Sequence, residues 1–305
     1  MGKIAFVFAG QGAQYSGMGK SLYEHSDAAR AVFEMADTIR PGTSEQCFSG
    51  GEDILKLTRN TQPCLFCVDL AAAAALKEAG VHPDMAAGFS LGELAALAFT
   101  GAVSYEDGFS LVCRRAALME QAGEQSPGVM VAVMKCTADQ VERLCGAYDQ
   151  VYPVNYNCPG QTVVAGEPGQ IEAFKQDVKA AGGRAMPLKV SGGFHSPCMA
   201  QAAVGFRAVL ESYAIKNPGI PVYSNYTGHP YEEEPRQLLW AQIENPVRWQ
   251  AIVEDMLRNG IDTFVEVGPG KTLCGLIGKI SGDAVTYHVQ DLESLQATLK
   301  GLGVC

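Results

Sequence analysis

Gly88-Phe89-Ser90-Leu91-Gly92 decides how this chain is read. It has the form G-x-S-x-G, in which a serine sits on a sharp turn between a strand and a helix. The flanking glycines leave room for that turn, because a Cβ at either place would collide with the neighbouring strand or helix. The context agrees. Met85-Ala86-Ala87 is a short apolar run suited to the end of a buried strand, and Glu93-Leu94-Ala95-Ala96-Leu97-Ala98-Phe99 is rich in strong helix formers. Such a helix points main-chain N–H groups and a positive dipole at Ser90. The stretch predicts an α/β-hydrolase-like domain with a parallel sheet and Ser90 as its candidate nucleophile.

With 305 residues, 47% of them hydrophobic, the chain can build one large domain with a smaller insert. The formal net charge of −10 argues against nucleic acid as a partner. No apolar stretch approaches the length of a membrane span, so no membrane partner is expected. The apolar run at the N-terminus is too short for a signal peptide and lacks a small-residue cleavage site, which predicts a soluble, cytoplasmic protein. The ten cysteines are scattered. Cys64-Leu65-Phe66-Cys67 is a C-x-x-C, but neither a second pair nor a nearby histidine completes a zinc site, so no metal is expected and the thiols read as buried and reduced.

The first strand, 3–9, ends in Gly10-Gln11-Gly12-Ala13-Gln14. A dinucleotide fingerprint fails there, because Tyr15 stands where the third glycine of G-x-G-x-x-G is needed for close helix–strand packing. The loop is either an ordinary turn or one that offers a main-chain N–H to a ligand. Helices are expected over 22–39, 64–79 and 104–119, the last carrying Arg114 and Arg115, of which at most one faces a given pocket. From 128 to 190 the order is strand, helix, two strands joined through Cys158-Pro159-Gly160, helix, strand. That is the order of a ferredoxin-like unit. The domains are thus 1–124 together with 191–305, and an insert over 125–190. After the insert come a helix over 197–213, a strand near 221–225, a helical stretch over 238–257 interrupted at Asn245-Pro246, a strand over 263–267 and a helix over 273–280. Gly268-Pro269-Gly270-Lys271-Thr272 mimics a phosphate loop, but Val265 occupies the place of its first glycine.

Serine needs a base to take its proton. His25, His82, His229 and His288 fall in a helix, a loop, a turn and a late strand, whereas His195 lies in the glycine-flanked loop Gly192-Gly193-Phe194-His195-Ser196-Pro197. Such a loop brings a distant residue to the mouth of a sheet, so His195 is the candidate general base. No acid announces itself as its partner. Asp255 and Glu266 are conceivable, and a main-chain carbonyl holds an imidazole tautomer equally well.

These stretches together resemble the acyltransferase family of fatty-acid and polyketide synthesis over essentially the whole chain. The matches are Gly10 to Gln14, the elbow through Glu93, Arg115 with Met119, Val154 to Gln161, Phe194-His195-Ser196, Asn245-Pro246-Val247-Arg248-Trp249, and Glu266 to Gly270. The resemblance implies transfer of a malonyl group from malonyl-CoA to the thiol of acyl carrier protein, by a ping-pong route through an ester on Ser90, without a cofactor. It implies His195 as general base and then acid, the N–H groups of Gln11 and Leu91 as the oxyanion hole, and Arg115 as partner of the malonyl carboxylate. It places the carbonyl of Arg248 against the histidine, and Met119, Asn155, Asn157 and Phe194 around the pocket. Phe194 is of the kind found in malonyl-selective members. Phe89 is a departure, since members commonly have histidine before the nucleophile. Carrier proteins are usually acidic, which makes Lys179, Arg184, Lys189, Lys271 and Lys279 candidates for a local basic patch. The alternatives are the same fold serving a polyketide carrier, and a serine hydrolase of esters or thioesters, against which Arg115 and the missing acid argue.

Overall fold

Ile4 to Phe8 are buried on both sides of their strand, and an apolar run of that kind belongs at the centre of a parallel sheet. The computed structural model describes residues 2–190, 192–232 and 234–304. Ser191, at which the sequence reading resumes the large domain, and Cys305 lie outside the described residues. The strands are β1 (Lys3–Phe8), β2 (Met85–Gly88), β3 (Val129–Met134), β4 (Val151–Cys158), β5 (Gln161–Gly166), β6 (Arg184–Pro187), β7 (Val222–Tyr223), β8 (Ile261–Val267) and β9 (Val285–Val289).

One sheet has the order β7-β2-β1-β8-β9, with every neighbouring pair parallel. Parallel neighbours need long crossovers. The helix Thr58–Glu78 is the longest element of the one between β1 and β2, and it is buried almost along its full length. Phe8 is in register with Gly88 on one side and Val267 on the other. The segments after β2, β1 and β8 therefore leave the sheet side by side, at the carboxyl edge where ligands of open α/β sheets bind.

The second sheet is antiparallel, in the order β4-β5-β3-β6. The helices Ala138–Cys145 and Pro168–Ala180 cover one face, where Val131, Val133, Val141, Ile171, Phe174 and Val178 form a small core. Met130, Ala132, Val163 and Ala165 alternate to the other face and join the main core. Val247 pairs with β4: its N–H donates to the Val154 carbonyl and its carbonyl accepts from Tyr156, each at 2.9 Å.

Several expected boundaries shift. The helix expected from 64 starts at Thr58 and carries Pro63 inside it. The helix expected over 22–39 is two, Lys20–His25 and Asp27–Ile39, because Ser26 leaves helical geometry and caps the second through the Ala29 N–H. The stretch 238–257 divides into Arg236–Ala241, a 3-10 turn Gln242–Glu244, and Trp249–Arg258. The last strand of the insert is short, Arg184–Pro187, and Leu188 adds one further main-chain bond by donating to the Met130 carbonyl at 2.9 Å. The helices Thr43–Ser49 and Leu292–Gly301 carried no signal strong enough to assign.

At the elbow the packing is as tight as the glycines require. A Cβ on Gly88 would lie 1.9 Å from the Gly92 carbonyl carbon, and one on Gly92 would lie 2.3 Å from the Phe8 carbonyl oxygen. Both obstacles are main chain and cannot rotate away. Gly88→Ala is expected to lower the free energy of unfolding by about 3 kcal/mol, read from the urea midpoint; an unchanged midpoint would contradict this packing.

Candidate active site

Ser90 occupies the left-handed region, with φ 54°, and so does His195, with φ 61°. Non-glycine residues rarely sit there, and where they do the surroundings must hold them. For Ser90 the holder is Asn225, just beyond β7. Its Oδ1 accepts from the Ser90 N–H at 2.6 Å, and its Nδ2 donates to the Gly88 carbonyl at 2.6 Å. One amide thus spans the turn.

His195 is buried, and its Nε2 lies 2.7 Å from Ser90 Oγ across 105 residues of chain. Nδ1 lies 2.8 Å from the main-chain oxygen of Gln242. A carbonyl only accepts, so Nδ1 carries the proton and Nε2 is left bare towards the serine hydroxyl. Burial, helped by the nearby Arg115 cation, lowers the His195 pKa to about 4, against the pull of the Gln242 and Asn245 carbonyls. The ring is therefore neutral near pH 7 and able to take a proton.

Arg115 projects from the helix Tyr105–Gln125 and is fully enclosed, whereas Arg114 is exposed. Its Nη2 lies 3.3 Å from Ser90 Oγ and donates to Gln242 Oε1 at 2.8 Å, while Nη1 donates to Gln62 Oε1 at 2.8 Å. Both firm partners are neutral amides. Burial lowers its pKa to about 10, with Glu93 opposing, so it stays a cation. Gln62 in turn donates to Met119 Sδ at 3.5 Å, which puts Met119 beside this group.

Beneath these residues lies Glu93, in the first turn after the elbow. Its Oε2 accepts from Gln242 Nε2 at 2.8 Å and from the Asn225 N–H at 3.1 Å, and its Oε1 accepts from the Tyr231 hydroxyl. Burial raises its pKa to about 7 against all these donors and Arg115.

Other expected positions fall into place unevenly. The main-chain N–H groups of Gln11 and Leu91 have no hydrogen-bond partner among the described residues. Gly10 brings the first loop close, because a Cβ there would lie 2.6 Å from the Phe89 carbonyl oxygen. Asn155 and Asn157 are buried with Oδ1 atoms that find no partner among the described residues, and both line a cavity of about 230 Å³ with Gln11 and Phe89. A larger cavity of about 840 Å³, lined by Tyr15, Leu55, Lys56 and Lys189 among others, meets it at Gln11, Gly12 and Leu188. Phe194 is buried next to His195. The Phe89 ring packs at 5.5 Å from that of Trp249, so it fills space rather than joining the polar network.

One expected role is corrected. The carbonyl that meets His195 belongs to Gln242, not Arg248. Arg248 caps the helix Trp249–Arg258, and its carbonyl accepts from Ile252 at 3.1 Å. The 3-10 turn at Gln242 aims the earlier carbonyl at the imidazole instead. Asp255 accepts from the Tyr223 hydroxyl at 2.9 Å, and Glu266 accepts from the Leu273 and Cys274 N–H groups at 3.1 and 2.7 Å. Neither serves the histidine. Of the basic candidates, Lys189 lines the larger cavity and Lys279 reaches Gln161 at the smaller one, at 3.4 Å. The described cysteines are all free, with Cys64 and Cys67 buried, and no described cluster of His, Cys, Asp or Glu could hold a metal.

Gln62, Glu93, Asn225, Tyr231 and Gln242 were not singled out by sequence. The available signal was weak: an amide between apolar residues, as in Ala241-Gln242-Ile243, has an ordinary place on a helix surface.

A hydroxyl, a neutral imidazole held by a carbonyl, and unpaired N–H groups at the carboxyl edge of a parallel sheet define a serine–histidine site suited to acyl transfer. Residues 5–281 match the family model of the acyl transferase domain. The chain belongs to this family. It is 37% identical over 310 residues to the malonyl CoA-acyl carrier protein transacylase of Bacillus subtilis (strain 168), covering 99% of this chain and 98% of that one. The structure of the malonyl CoA-acyl carrier protein transacylase from Clostridium perfringens superposes with a TM-score of 0.95 at 37% identity, over 99% of this chain and 97% of that one. A malonyl-transacylase solved with its type II polyketide-synthase acyl-carrier protein gives 0.94 at 34%, over 98% and 99%.

Asn225→Ala strands the Ser90 N–H and the Gly88 carbonyl. It is expected to cost about 3 kcal/mol of stability by chemical denaturation, since an unpaired buried group costs ~1–3 kcal/mol. Labelling of Ser90 by a fluorophosphonate should slow in the same variant. Unchanged stability would mean that other groups hold the turn.

Proposed function

We propose that this chain transfers a malonyl group from malonyl-CoA to the phosphopantetheine thiol of an acyl carrier protein, in fatty acid biosynthesis, through an ester on Ser90. The observation that carries the choice of acyl group is Arg115. A buried guanidinium held by neutral amides, 3.3 Å from the nucleophile, offers an anion the charge it lacks. A malonyl group on Ser90 carries its free carboxylate within reach of that cation. A hydrolase of neutral esters has no use for it.

In this scheme Ser90 Oγ attacks the thioester carbonyl while His195 Nε2 takes its proton. The N–H groups of Gln11 and Leu91 receive the oxyanion, and the Gln242 carbonyl steadies the imidazolium. Collapse breaks the C–S bond, and the imidazolium returns the proton to the leaving CoA thiolate. The carrier thiol then gives its proton to His195 and attacks the Ser90 ester, and the alkoxide of Ser90 is reprotonated as it leaves. No cofactor enters; the CoA thioester is a substrate. The unpaired amide oxygens of Asn155 and Asn157 suit the N–H groups of a pantetheine arm, because a buried acceptor gains by meeting a donor. Phe194 narrows the space for a branched acyl group. Lys189 and Lys279 stand where an acidic carrier would approach.

We also read residues 1–124 and 191–305 as an α/β-hydrolase-like catalytic domain and 125–190 as a ferredoxin-like subdomain. The parallel sheet with its elbow supports the first, and the order of β3 to β6 with their two helices supports the second. Free thiols throughout the described chain suit the reducing cytoplasm. Among the described residues no helix is long and apolar enough to cross a membrane.

Intact-mass analysis after mixing with malonyl-CoA, beside a Ser90→Ala control, tests the proposal: one malonyl adduct is expected on the wild type and none on the variant. Arg115→Ala should lower malonyl transfer by about 10²–10⁴-fold, the equivalent of ~3–5 kcal/mol for a buried pair that loses one partner. Acetyl transfer should survive. Equal loss of both would remove the carboxylate role.

A further inference from the structure

Gln242 meets all three groups of the proposed reaction. Its carbonyl holds His195 Nδ1, its Oε1 accepts from Arg115, and its Nε2 donates to the Ser90 carbonyl at 2.8 Å. An amide side chain fits this place in only one of its two orientations. Turned over, Nε2 would face the Arg115 guanidinium and Oε1 would face the Ser90 carbonyl. Glu93 selects the working orientation, because its Oε2 accepts from Nε2 at 2.8 Å. The same oxygen accepts from the N–H of Asn225, the residue that spans the elbow.

We propose that Glu93 and Tyr231 are positioning residues: a buried carboxylate, held by a phenol, that fixes Gln242 and Asn225 and through them Ser90, His195 and Arg115. This rests on the acyl-transfer reading of Ser90 and His195. The ionised carboxylate offers only acceptors, and Tyr231, Gln242 and Asn225 all donate to it. A neutral carboxyl keeps the Tyr231 contact only by reversing it, with the acid donating to the phenol, and it loses the strength that charge gives the bonds from Gln242 and Asn225. The ionised form is therefore the working one.

Burial puts the carboxyl pKa at about 7, and the Tyr231 bond counts first among the contacts that restrain it. The described titratable groups facing Glu93 are Arg115, from the helix Tyr105–Gln125, and Tyr231, beyond β7. His195 connects through Gln242 and titrates near 4, well below this range. Protonation of Glu93 as the pH falls through about 7 thus loosens the site before the imidazole gains its proton. Without the Tyr231 hydroxyl the ionised form loses a donor, so the pKa rises.

The test is the rate of Ser90 modification from pH 5.5 to 9, measured with malonyl-CoA and separately with an uncharged fluorophosphonate, in wild type, Tyr231→Phe and Glu93→Gln. The wild type should lose rate below a half-point near 7. Tyr231→Phe should move that half-point up by about one pH unit, the effect of one hydrogen bond to an ionised group. Glu93→Gln should be at least tenfold slower at pH 8 and flat between pH 6 and 8, like the protonated wild type. A half-point unmoved in Tyr231→Phe, or still present in Glu93→Gln, overturns the proposal. A structural defect would lower the rates without moving the half-point. Failure of malonyl-CoA alone to modify wild-type Ser90 would overturn the malonyl reading, while the fluorophosphonate profile still decides the role of Glu93. A Ser90 inert to both at every pH would overturn both.

Discussion

A guanidinium buried beside a hydroxyl, with no carboxylate among the described residues in direct contact, is the constraint that shapes the rest of this site. Arg115 is hydrogen-bonded to two neutral amides, Gln62 and Gln242. Charge out of water is costly unless it is bonded and balanced. Balance comes from one layer away, through Gln242, from the Glu93 carboxylate. A directly paired carboxylate would neutralise the cation and leave nothing for an anionic substrate. Amides in the first contact and charge in the second keep the guanidinium both tolerable and available.

The same layering keeps two strained residues in place. Ser90 and His195 adopt a left-handed backbone that costs free energy and survives only where the surroundings determine it. Asn225 closes the serine turn, and the carbonyl of Gln242 sets the histidine tautomer. Both residues end on Glu93, Asn225 through its main-chain N–H and Gln242 through its side-chain amide. A single carboxylate in the first turn after the elbow thus joins the strand-end segment after β7 and the 3-10 turn at Gln242 to the Ser90 turn.

The two sheets divide the work. The parallel sheet delivers the segments after β1 and β2 to one edge, and the antiparallel sheet supplies Asn155 and Asn157 to the cavity that opens above it. The pairing of Val247 with β4 fixes that second wall to the segment that follows Gln242. The cavity walls and the histidine support are therefore coupled through one short stretch of chain.

Local chemistry made the elbow legible in the sequence. Gly88 and Gly92 are required by contacts within a few residues and with the adjoining strand, so their spacing announces the turn and Ser90 with it. His195 was legible because its loop is unusual, and Arg115 because its family resemblance could be matched position by position. The strand and helix order of the antiparallel unit was legible because alternation and turn residues are local too.

The supporting network was not, and the misplacement of the histidine's carbonyl partner at Arg248 shows why. A main-chain oxygen has no residue identity to read; which one faces an imidazole depends on whether the chain at 242–248 bends as one helix or breaks into a 3-10 turn and a new helix. Glu93, Gln242, Asn225 and Tyr231 are likewise common residue types whose meaning comes from partners up to 152 residues away. Sequence alone determined the candidate nucleophile, the candidate base and the sheet that carries them. Tertiary structure decided what holds them, because hydrogen bonds between distant segments exist only once the packing has buried both ends.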